Sequence, residues 1–304
     1  MGKMKPLFFD SLKEAGIEFY PSYAVKKRTT FNIGGIVDCY VRVKDLTELA
    51  VAVRAAKAAK KEIFVMGNLS NVLISDRRIN KVFIGLEGSF LEISRKGAAS
   101  LYAGAGVKVS GLTAFLIKNG LTGLEFMAGI PGTVGGAVYM NAGAYGKGIG
   151  AFITKVHFMD KKGKCGVIVN PEKAFTYRHS IFQKNGFIIT GAEFKLKKGD
   201  SVKIRKETSE LIKTRHKKHP WDAYCAGSFF KNPAECPAGS LIERAGLKGK
   251  KAGGAMVSKM HANFLINTTG KASFGDVVKL AGLVKKEVKK KFGVTLTEEV
   301  RYIK

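Results

Sequence analysis

The chain has 304 residues, 45% hydrophobic and 10% aromatic, so it is long enough to bury a large core shared between two or three packed units. Its 52 basic residues outnumber the 24 acidic ones, and the net charge of +28 would attract phosphates, nucleic acid or anionic lipid without specifying any of them. No zinc-finger spacing, aromatic platform signature or helix-turn-helix pattern accompanies this charge, which argues against a specific nucleic-acid-binding protein.

Nothing in the sequence predicts export or membrane insertion. The first 20 residues mix charged and apolar side chains, and the uncharged run 126–144 is rich in glycine, so neither favours a spanning helix. The cysteines show no C-x-x-C pair and no secretory context. We therefore expect a cytoplasmic protein with reduced thiols, in which residues 126–144 form a buried, tightly turning loop.

In the first 200 residues the spacing of apolar side chains predicts many short strands and a few helices. The predicted helices cover residues 7–15, 46–59 and 109–119. The predicted strands lie within residues 30–43, 63–66, 72–74, 81–105 and 156–196.

In the last hundred residues helices and strands alternate, which is an α+β pattern. The predicted helices cover residues 202–213, 239–245 and 274–292, and the predicted strands cover 254–257, 263–266 and 295 onward. The first of these helices predicts a domain boundary near Asp200.

Two glycine-containing segments could hold a cofactor. In Gly67-Asn68-Leu69-Ser70-Asn71, which lies between two predicted strands, glycine permits unusual backbone angles and the polar side chains can face an anion. In residues 129–137, closely spaced glycines would let backbone amides approach a diphosphate. The alternative for both is a close-packed turn. Neither fits the dinucleotide G-x-G-x-x-G pattern or the P-loop, so a different cofactor cradle is predicted.

The stretch GIPGTVGGAVYMNAGAYG, residues 129–146, resembles the flavin-binding segment of the UDP-N-acetylenolpyruvoylglucosamine reductases. The resemblance continues in order along nearly the whole chain. It is carried by T-F-N-I-G-G at residues 30–35, the polar loop at 67–71, Tyr177-Arg178, G-S-F-F-K-N-P at 227–233, and Glu299-Val300-Arg301. The chain departs from the family at Leu69, where the family usually has glycine, and it resembles the shorter branch without an extra tyrosine-bearing insertion.

The resemblance implies an α+β fold with a two-part FAD-binding domain of the vanillyl-alcohol-oxidase (PCMH) type and a smaller C-terminal α+β substrate-binding domain. Residues 1–30 would be a lead-in. Residues 31–196 would form the FAD-binding domain, with subdomains of about 31–90 and 91–196. Residues 200–304 would form the substrate-binding domain.

The resemblance also implies the ligands. FAD would be the cofactor, NADPH the hydride-donating cosubstrate, and UDP-N-acetylglucosamine enolpyruvate the substrate. The cofactor would lie against Gly67, Asn68, Leu69, Ser70, Asn71, Gly129, Ile130, Pro131, Gly132, Thr133, Gly136 and Ala137. No metal site, specific nucleic acid or membrane insertion is expected.

Three residues match the family's catalytic positions. Hydride addition to the substrate pushes negative charge toward its carboxylate, which Arg178 and a protonated Glu299 would stabilise. Ser228 would then give a proton to the α-carbon. Without the resemblance, Arg178 would be read as an ordinary surface arginine and Ser228 as a turn serine.

Asn232, Lys218 and Arg178 match substrate-binding positions, and at Lys218 the neighbouring basic residues could serve instead. His216, His219 and Trp221 suggest a metal or stacking cluster, but without a third ligand we interpret them as surface residues. Another flavin-dependent oxidoreductase of the same fold is the alternative enzyme, and a basic nucleic-acid-binding protein is the alternative from another class.

Overall fold

The computed structural model describes residues 6–304, and compact packing divides the chain into two units. The first unit comprises residues up to 23, 37–68 and 80–213, and the second comprises 24–36, 69–79 and 214–304. The predicted domains were continuous segments, whereas the second unit takes two earlier segments in addition to the C-terminal part. The ligand roles assigned to the predicted domains stay predictions.

Helices occupy eight stretches of the described residues. They are α1 (Pro6–Glu14), α2 (Leu46–Ala58), α3 (Val109–Lys118), α4 (Val134–Met140), α5 (Phe182–Asn185), α6 (Ser201–Lys218), α7 (Ala238–Arg244) and α8 (Phe274–Phe292).

The strands are numbered in chain order. They are β1 (Glu18–Ala24), β2 (Ile36–Val43), β3 (Glu62–Met66), β4 (Val72–Ile74), β5 (Ile79–Leu86), β6 (Ile93–Gly97), β7 (Ser100–Gly104), β8 (Leu121–Thr122), β9 (Gly143–Ala144), β10 (Lys147–Gly148), β11 (Ile153–Met159), β12 (Cys165–Val169), β13 (Phe175–Thr176), β14 (His179–Ser180), β15 (Ile188–Lys195), β16 (Lys197–Lys198), β17 (Tyr224–Cys225), β18 (Lys251–Ala252), β19 (Ala255–Val257), β20 (Leu265–Asn267) and β21 (Arg301–Ile303).

Two sheets organise the first unit. One has the strand order β1-β2-β5-β3, in which β3 and β5 are parallel. The other has the order β12-β11-β15-β7-β6, and all its pairs are antiparallel. Its central strand β15 is buried at five consecutive residues from Ile188 to Ala192, as expected for a strand covered on both faces. The apolar residues of these elements form one continuous core.

The second unit has a smaller antiparallel sheet with the order β17-β20-β19-β18, and β21 pairs in parallel with β4. Helix α8 packs on β18 and β19. The core of this unit includes the fully buried Phe229 and Phe230. These two buried rings anchor the backbone directly after Ser228.

Helix α8 forms where its local sequence predicts it. The hydroxyl of Ser273 caps its first turn by accepting a hydrogen bond from the amide of Asp276, and the carboxylate of Asp276 accepts one from the amide of Ser273. These bonds hold the pKa of Asp276 below its usual value. Gly293 ends the helix with a left-handed backbone, which glycine adopts without strain. One face of the helix is buried in the core, and its lysines lie on the other.

The prediction that residues 126–144 form a loop is wrong for Val134–Met140, which form α4. Glycine within a helix costs about 1 kcal/mol, and this helix contains two. Thr133 offsets part of that cost by accepting a hydrogen bond from the amide of Gly136. Burial of Val134, Ala137 and Val138 also stabilises the helix against the cost of its glycines.

The strand predicted from Thr295 onward is also wrong in extent. Only Arg301–Ile303 form a strand, and before them Glu298 makes a single bridge to Phe230. Helix α6 is longer than predicted and ends at Lys218. The last strand forms only where it pairs with the distant strand β4.

Candidate active site

The two glycine-containing segments meet within the first unit. A β-carbon added to Gly67 would lie 2.9 Å from Oγ1 of Thr133, so the start of the polar loop touches the end of the glycine-rich turn. Asn68 is the last residue of this stretch of the first unit, and Leu69, Ser70 and Asn71 belong to the second. The structure thus brings together Gly67 and Thr133, which are 66 positions apart in the sequence.

The glycine-rich turn is held by backbone hydrogen bonds to the chain just before α3. The amide of Val109 donates to Gly132 at 3.0 Å, that of Val134 to Val107 at 2.8 Å, and that of Gly135 to Ala105 at 2.9 Å. Ile130 closes the preceding turn by donating to Met127. The turn is therefore fixed on one side.

The glycines of this segment serve two different purposes. A β-carbon on Gly135 would lie 2.8 Å from that of Ala105, so Gly135 is needed for close packing. On Gly132 it would meet only Val109, at 4.0 Å, and on Gly136 only Thr133, at 3.5 Å. Packing within the protein therefore does not require glycine at these two positions. Open space beside backbone amides fits the close approach of a cofactor diphosphate.

Ser228 lies in a backbone that the second unit holds rigidly. Gly227 precedes it with φ +75°, a conformation that favours glycine. The amide of Phe229 donates to the carbonyl of Asn263 at 2.7 Å. The side chain of Asn263 also binds both backbone groups of Phe230, accepting from its amide at 3.0 Å and donating to its carbonyl at 2.8 Å.

Asn263 is a positioning residue that the sequence interpretation missed. Its side chain is 3% exposed, and buried amides are expected to have their hydrogen bonds satisfied. In the sequence, only the position of this asparagine inside the apolar run Ala262-Asn263-Phe264 indicates a buried polar side chain. The sequence does not reveal which backbone groups this side chain binds.

Glu299 lies beside the serine motif. Its amide donates at 2.9 Å to the carbonyl of Phe229. Phe229 is the residue that follows Ser228. Its own carbonyl accepts from the side chain of Asn71 at 3.2 Å. The neighbouring Glu298 instead binds Lys285 at 3.0 and 3.2 Å. The structure thus places one end of the predicted flavin loop and two predicted catalytic residues on adjoining backbone segments.

The side chain of Asn232 forms a hydrogen bond within the protein, in addition to its predicted contact with substrate. Its side-chain oxygen accepts a hydrogen bond from the amide of Ala238 at 3.1 Å, the first residue of α7. This bond ties the end of the serine motif to the helix that follows it.

Arg178 forms the tip of the β13–β14 hairpin in the first unit and has φ +53°. Its guanidinium donates to the carbonyl of Gly143 at 2.8 Å and lies 5.2 Å from the ring centroid of Tyr177. The side chain of Asn141 fixes the hairpin by donating to the carbonyl of Thr176 at 2.8 Å. Such a backbone is strained for a non-glycine residue, and strain of this kind concentrates at functional sites.

Two family models match the chain. The C-terminal domain model of UDP-N-acetylenolpyruvoylglucosamine reductase covers residues 219–303, and an FAD-binding domain model covers residues 37–167. The reductase of Caldanaerobacter subterraneus is 38% identical over 99% of both chains. That of Lachnoclostridium phytofermentans is 41% identical over 92% of this chain and 91% of its own length. The chain belongs to the UDP-N-acetylenolpyruvoylglucosamine reductase family.

The solved structures agree with this assignment. The crystal structure of the Thermus caldophilus reductase superimposes with a TM-score of 0.80 at 32% identity, covering 95% of this chain and 99% of the other. The predicted fold, an FAD-binding domain followed by a smaller α+β domain, is confirmed. The protein is an FAD-dependent oxidoreductase. The individual cofactor and substrate contacts stay predictions.

Leu69, which stands where the family resemblance has glycine, has a backbone conformation that favours glycine. Its φ is +48°, in the left-handed region, and its side chain is buried at 4% exposure. For an L-residue this backbone costs roughly 1–2 kcal/mol, and burying a leucine contributes about 1.5–3 kcal/mol. Apolar burial therefore offsets the strain.

At position 69 we expect the glycine variant to be more stable than the alanine variant, the reverse of the usual order of stability. Leu69→Ala keeps the strain and loses the buried contacts, and we expect it to lower the free energy of unfolding by about 2–5 kcal/mol. Leu69→Gly should lose roughly 1 kcal/mol less, because glycine adopts this φ without strain. Urea denaturation followed by circular dichroism measures both. At the exposed helical position Val202, the alanine variant should be more stable than the glycine variant. If alanine is also the more stable variant at position 69, the backbone at Leu69 is not strained as we infer.

Lys218, the predicted diphosphate contact, is the exposed last residue of α6. The next residue, His219, packs its ring against Phe264 and His261, with centroids 4.9 and 5.4 Å away. Burial, together with the nearby His261, Arg215 and Lys218, lowers the pKa of His219 from 6.5 to about 4. The pKa of His261 is also lowered by burial.

These lowered pKa values predict that the reductase loses stability in mild acid. The unfolded chain binds a proton at His219 below about pH 6.5, while in the folded state this ring resists protonation down to about pH 4. The free energy of unfolding should therefore fall as the pH decreases through this window. His219→Phe keeps a ring and removes one titrating group, so its pH dependence should be shallower in denaturation series from pH 7 to pH 4.5. Equal slopes would refute the assignment.

Among residues 6–304, no helix is both long and apolar enough to cross a membrane. In the same residues no group of three or more His, Cys, Asp or Glu side chains could hold a metal ion.

Proposed function

We propose that the enzyme catalyses the NADPH-dependent, FAD-mediated reduction of the enolpyruvyl group of UDP-N-acetylglucosamine enolpyruvate to give UDP-N-acetylmuramate, a precursor of peptidoglycan. Membership of the reductase family supports the substrate class. The observation that carries the proposal is the hydrogen bond from Glu299 to Phe229, because it joins the two segments with the predicted proton donor and charge-stabilising acid.

The chemical balance of the reaction is simple. A carbon–carbon double bond of the substrate is reduced by one hydride and one proton, and NADPH is oxidised to NADP⁺. Bound FAD supplies hydride transfer between the two substrates. The protein supplies the proton and stabilises the negative charge that forms before the proton arrives.

Ser228 is proposed to donate that proton to the α-carbon. A serine hydroxyl is a weak acid, but a carbon that carries enolate charge is a strong enough base to take its proton. The backbone that directly follows Ser228 is fixed by Asn263 and by the buried Phe229 and Phe230. This supports the role because proton transfer requires a well-defined donor position.

Glu299 and Arg178 are proposed to stabilise charge on the substrate carboxylate. A protonated carboxyl donates a hydrogen bond to a developing oxyanion, and a guanidinium fork matches two carboxylate oxygens. The bond that orients Arg178 toward Gly143 and the strained hairpin tip support a fixed position for this side chain. The neighbouring Glu298 binds Lys285 instead, so we do not assign it to the stabilisation of the substrate carboxylate.

The cofactor is proposed to contact the polar loop 67–71 and the turn 129–137. The unfilled space at Gly132 and Gly136 and the contact between Gly67 and Thr133 support this location. A cytoplasmic location of the enzyme remains a prediction.

The test is anaerobic incubation of the purified holoenzyme with NADPH, with and without UDP-N-acetylglucosamine enolpyruvate. We expect sustained NADPH consumption only when that substrate is present, with UDP-N-acetylmuramate as the product. If the flavin is reduced but this substrate never reoxidises it, the enzyme is a flavin-dependent oxidoreductase with another substrate, and the proposal fails.

A further inference from the structure

Thr30 joins two segments of the second unit that are far apart in the sequence. Its hydroxyl donates to the carbonyl of Cys225 at 2.7 Å, and the carbonyl of Leu69 lies 3.4 Å from the same hydroxyl oxygen. The amide of Cys225 donates in return to the carbonyl of Thr30 at 3.0 Å. A threonine hydroxyl has a single proton, so the shorter contact is the stronger bond and Leu69 shares that proton at long range. One side chain therefore lies between the polar loop and the strand that leads to Ser228.

These contacts complete a hydrogen-bonded ring within the second unit. On the other side of the ring, the side chain of Asn71 donates to the carbonyl of Glu299 at 3.2 Å, and the amide of Glu299 donates to the carbonyl of Phe229 at 2.9 Å. The continuous backbone on either side of these bonds supplies the remaining links. The ring thus includes the end of the polar loop, the proposed proton donor Ser228 and the proposed acid Glu299, and the side chains of Thr30 and Asn71 close it.

The backbone of Thr30 is anchored in the core. The next residue, Phe31, is fully buried in the core of the second unit, and its carbonyl accepts a hydrogen bond at 3.1 Å from the buried side chain of Asn267. Thr30 itself is half-buried. Only two residues separate Cys225 from Ser228, so a shift of the Cys225 carbonyl would move the serine. A hydroxyl on an anchored backbone can hold that carbonyl in one place.

From this ring we infer that Thr30 is a positioning residue for protonation of the substrate. Its hydroxyl holds the backbone before Ser228 at a fixed distance from the polar loop, which is the proposed cofactor contact. The inference rests on the proposed function and adds to it a residue that acts through the carbonyl of Cys225. Hydride and proton must reach neighbouring carbons of one double bond, so the position of the donor relative to the cofactor controls the rate. A displacement of about 1 Å can cost on the order of 100-fold in rate.

Thr30→Val tests the hydroxyl, because valine has nearly the same shape and the backbone bond from Cys225 to residue 30 stays. We expect reoxidation of reduced flavin by UDP-N-acetylglucosamine enolpyruvate to slow by about 10–100-fold in anaerobic stopped-flow measurements, with a lower kcat and a nearly unchanged KM. The solvent deuterium isotope effect on this step should increase, because proton transfer becomes slower relative to hydride transfer. Flavin reduction by NADPH and the Kd for FAD should stay close to wild type. Thr30→Ser keeps the hydroxyl and should recover most of the rate.

Thr268→Val is the matched control. The hydroxyl of Thr268 also donates to a backbone carbonyl of the second unit, that of Gly254 at 3.2 Å, and its loss should leave both half-reactions unchanged. Urea denaturation of each holoenzyme checks folding, and if Thr30→Val does not fold, Thr30→Ala takes its place in the comparison with Thr30→Ser.

Three results would overturn the inference. They are a normal reoxidation rate in the variant without the hydroxyl, equal slowing of both half-reactions, and a Thr30→Ser variant as slow as Thr30→Val. If the substrate never reoxidises the wild-type flavin, the proposed function fails and the inference fails with it. Normal wild-type turnover that Thr30→Val leaves unchanged would reject the inference alone.

Discussion

Ser228→Ala is expected to slow the reoxidation of reduced flavin by UDP-N-acetylglucosamine enolpyruvate by roughly 10²–10⁴-fold, the usual contribution of a positioned proton donor. Reduction of the flavin by NADPH should stay close to the wild-type rate, because no proton from Ser228 is needed in that half-reaction. Anaerobic stopped-flow absorbance of the flavin separates the two rates. The backbone bonds that Phe229 donates to Asn263 and accepts from Glu299 do not involve the serine side chain, so the variant should fold.

Ser75→Ala provides the matched control for this variant. The hydroxyl of Ser75 accepts a hydrogen bond from the amide of Arg77, which is the turn-capping task that Ser228 would have if it were only structural. Ser75→Ala should cost about 1 kcal/mol of stability with normal rates in both half-reactions. If Ser228→Ala behaves in the same way, or slows both half-reactions equally, Ser228 is not the proton donor.

Gly132→Val is expected to yield a folded protein that loses its flavin. A β-carbon there would meet only Val109, at 4.0 Å, so the fold has room for the side chain. The branched side chain would fill the space proposed for the cofactor and separate it from the backbone amides. We expect FAD affinity to fall at least tenfold, equivalent to about 1.4 kcal/mol, measured as flavin absorbance per protein and as the Kd for FAD added to apoprotein.

Gly282 offers a matched control on the exposed face of α8, where an added β-carbon meets nothing within 4 Å. Gly282→Val should keep full flavin content. The thermal unfolding of apo Gly132→Val should resemble that of wild-type apoprotein. Undiminished flavin content in Gly132→Val would show that the cofactor lies elsewhere, and an unfolded apoprotein would show that Gly132 is a packing residue.

Elements with strong local signals could be predicted closely from the sequence. Helix α8 extends over the predicted residues 274–292, because its apolar period, its Ser273 cap and its terminal Gly293 all act within a few residues. Strand β4 likewise occupies the predicted residues 72–74. Such signals need no knowledge of distant parts of the chain.

Elements whose stability comes from distant partners could not be predicted in this way. Helix α4 contains two glycines, yet it forms because the apolar side chains it presents are buried in the core of the first unit. The last strand is confined to Arg301–Ile303, because only those residues find the parallel partner β4, more than 220 residues earlier. Local propensity is outweighed in both cases by burial and pairing.

The sequence by itself determined the family, the FAD-dependent chemistry and the candidates Arg178, Ser228 and Glu299, because ordered motifs record which side chains the chemistry requires. Tertiary structure alone decided that Asn263 holds the serine motif, that Asn71 binds the backbone of Glu299, and that Glu299 lies beside Phe229. These contacts join residues 33 to 228 positions apart. They depend on how buried surfaces assemble, and no local pattern in the chain encodes them.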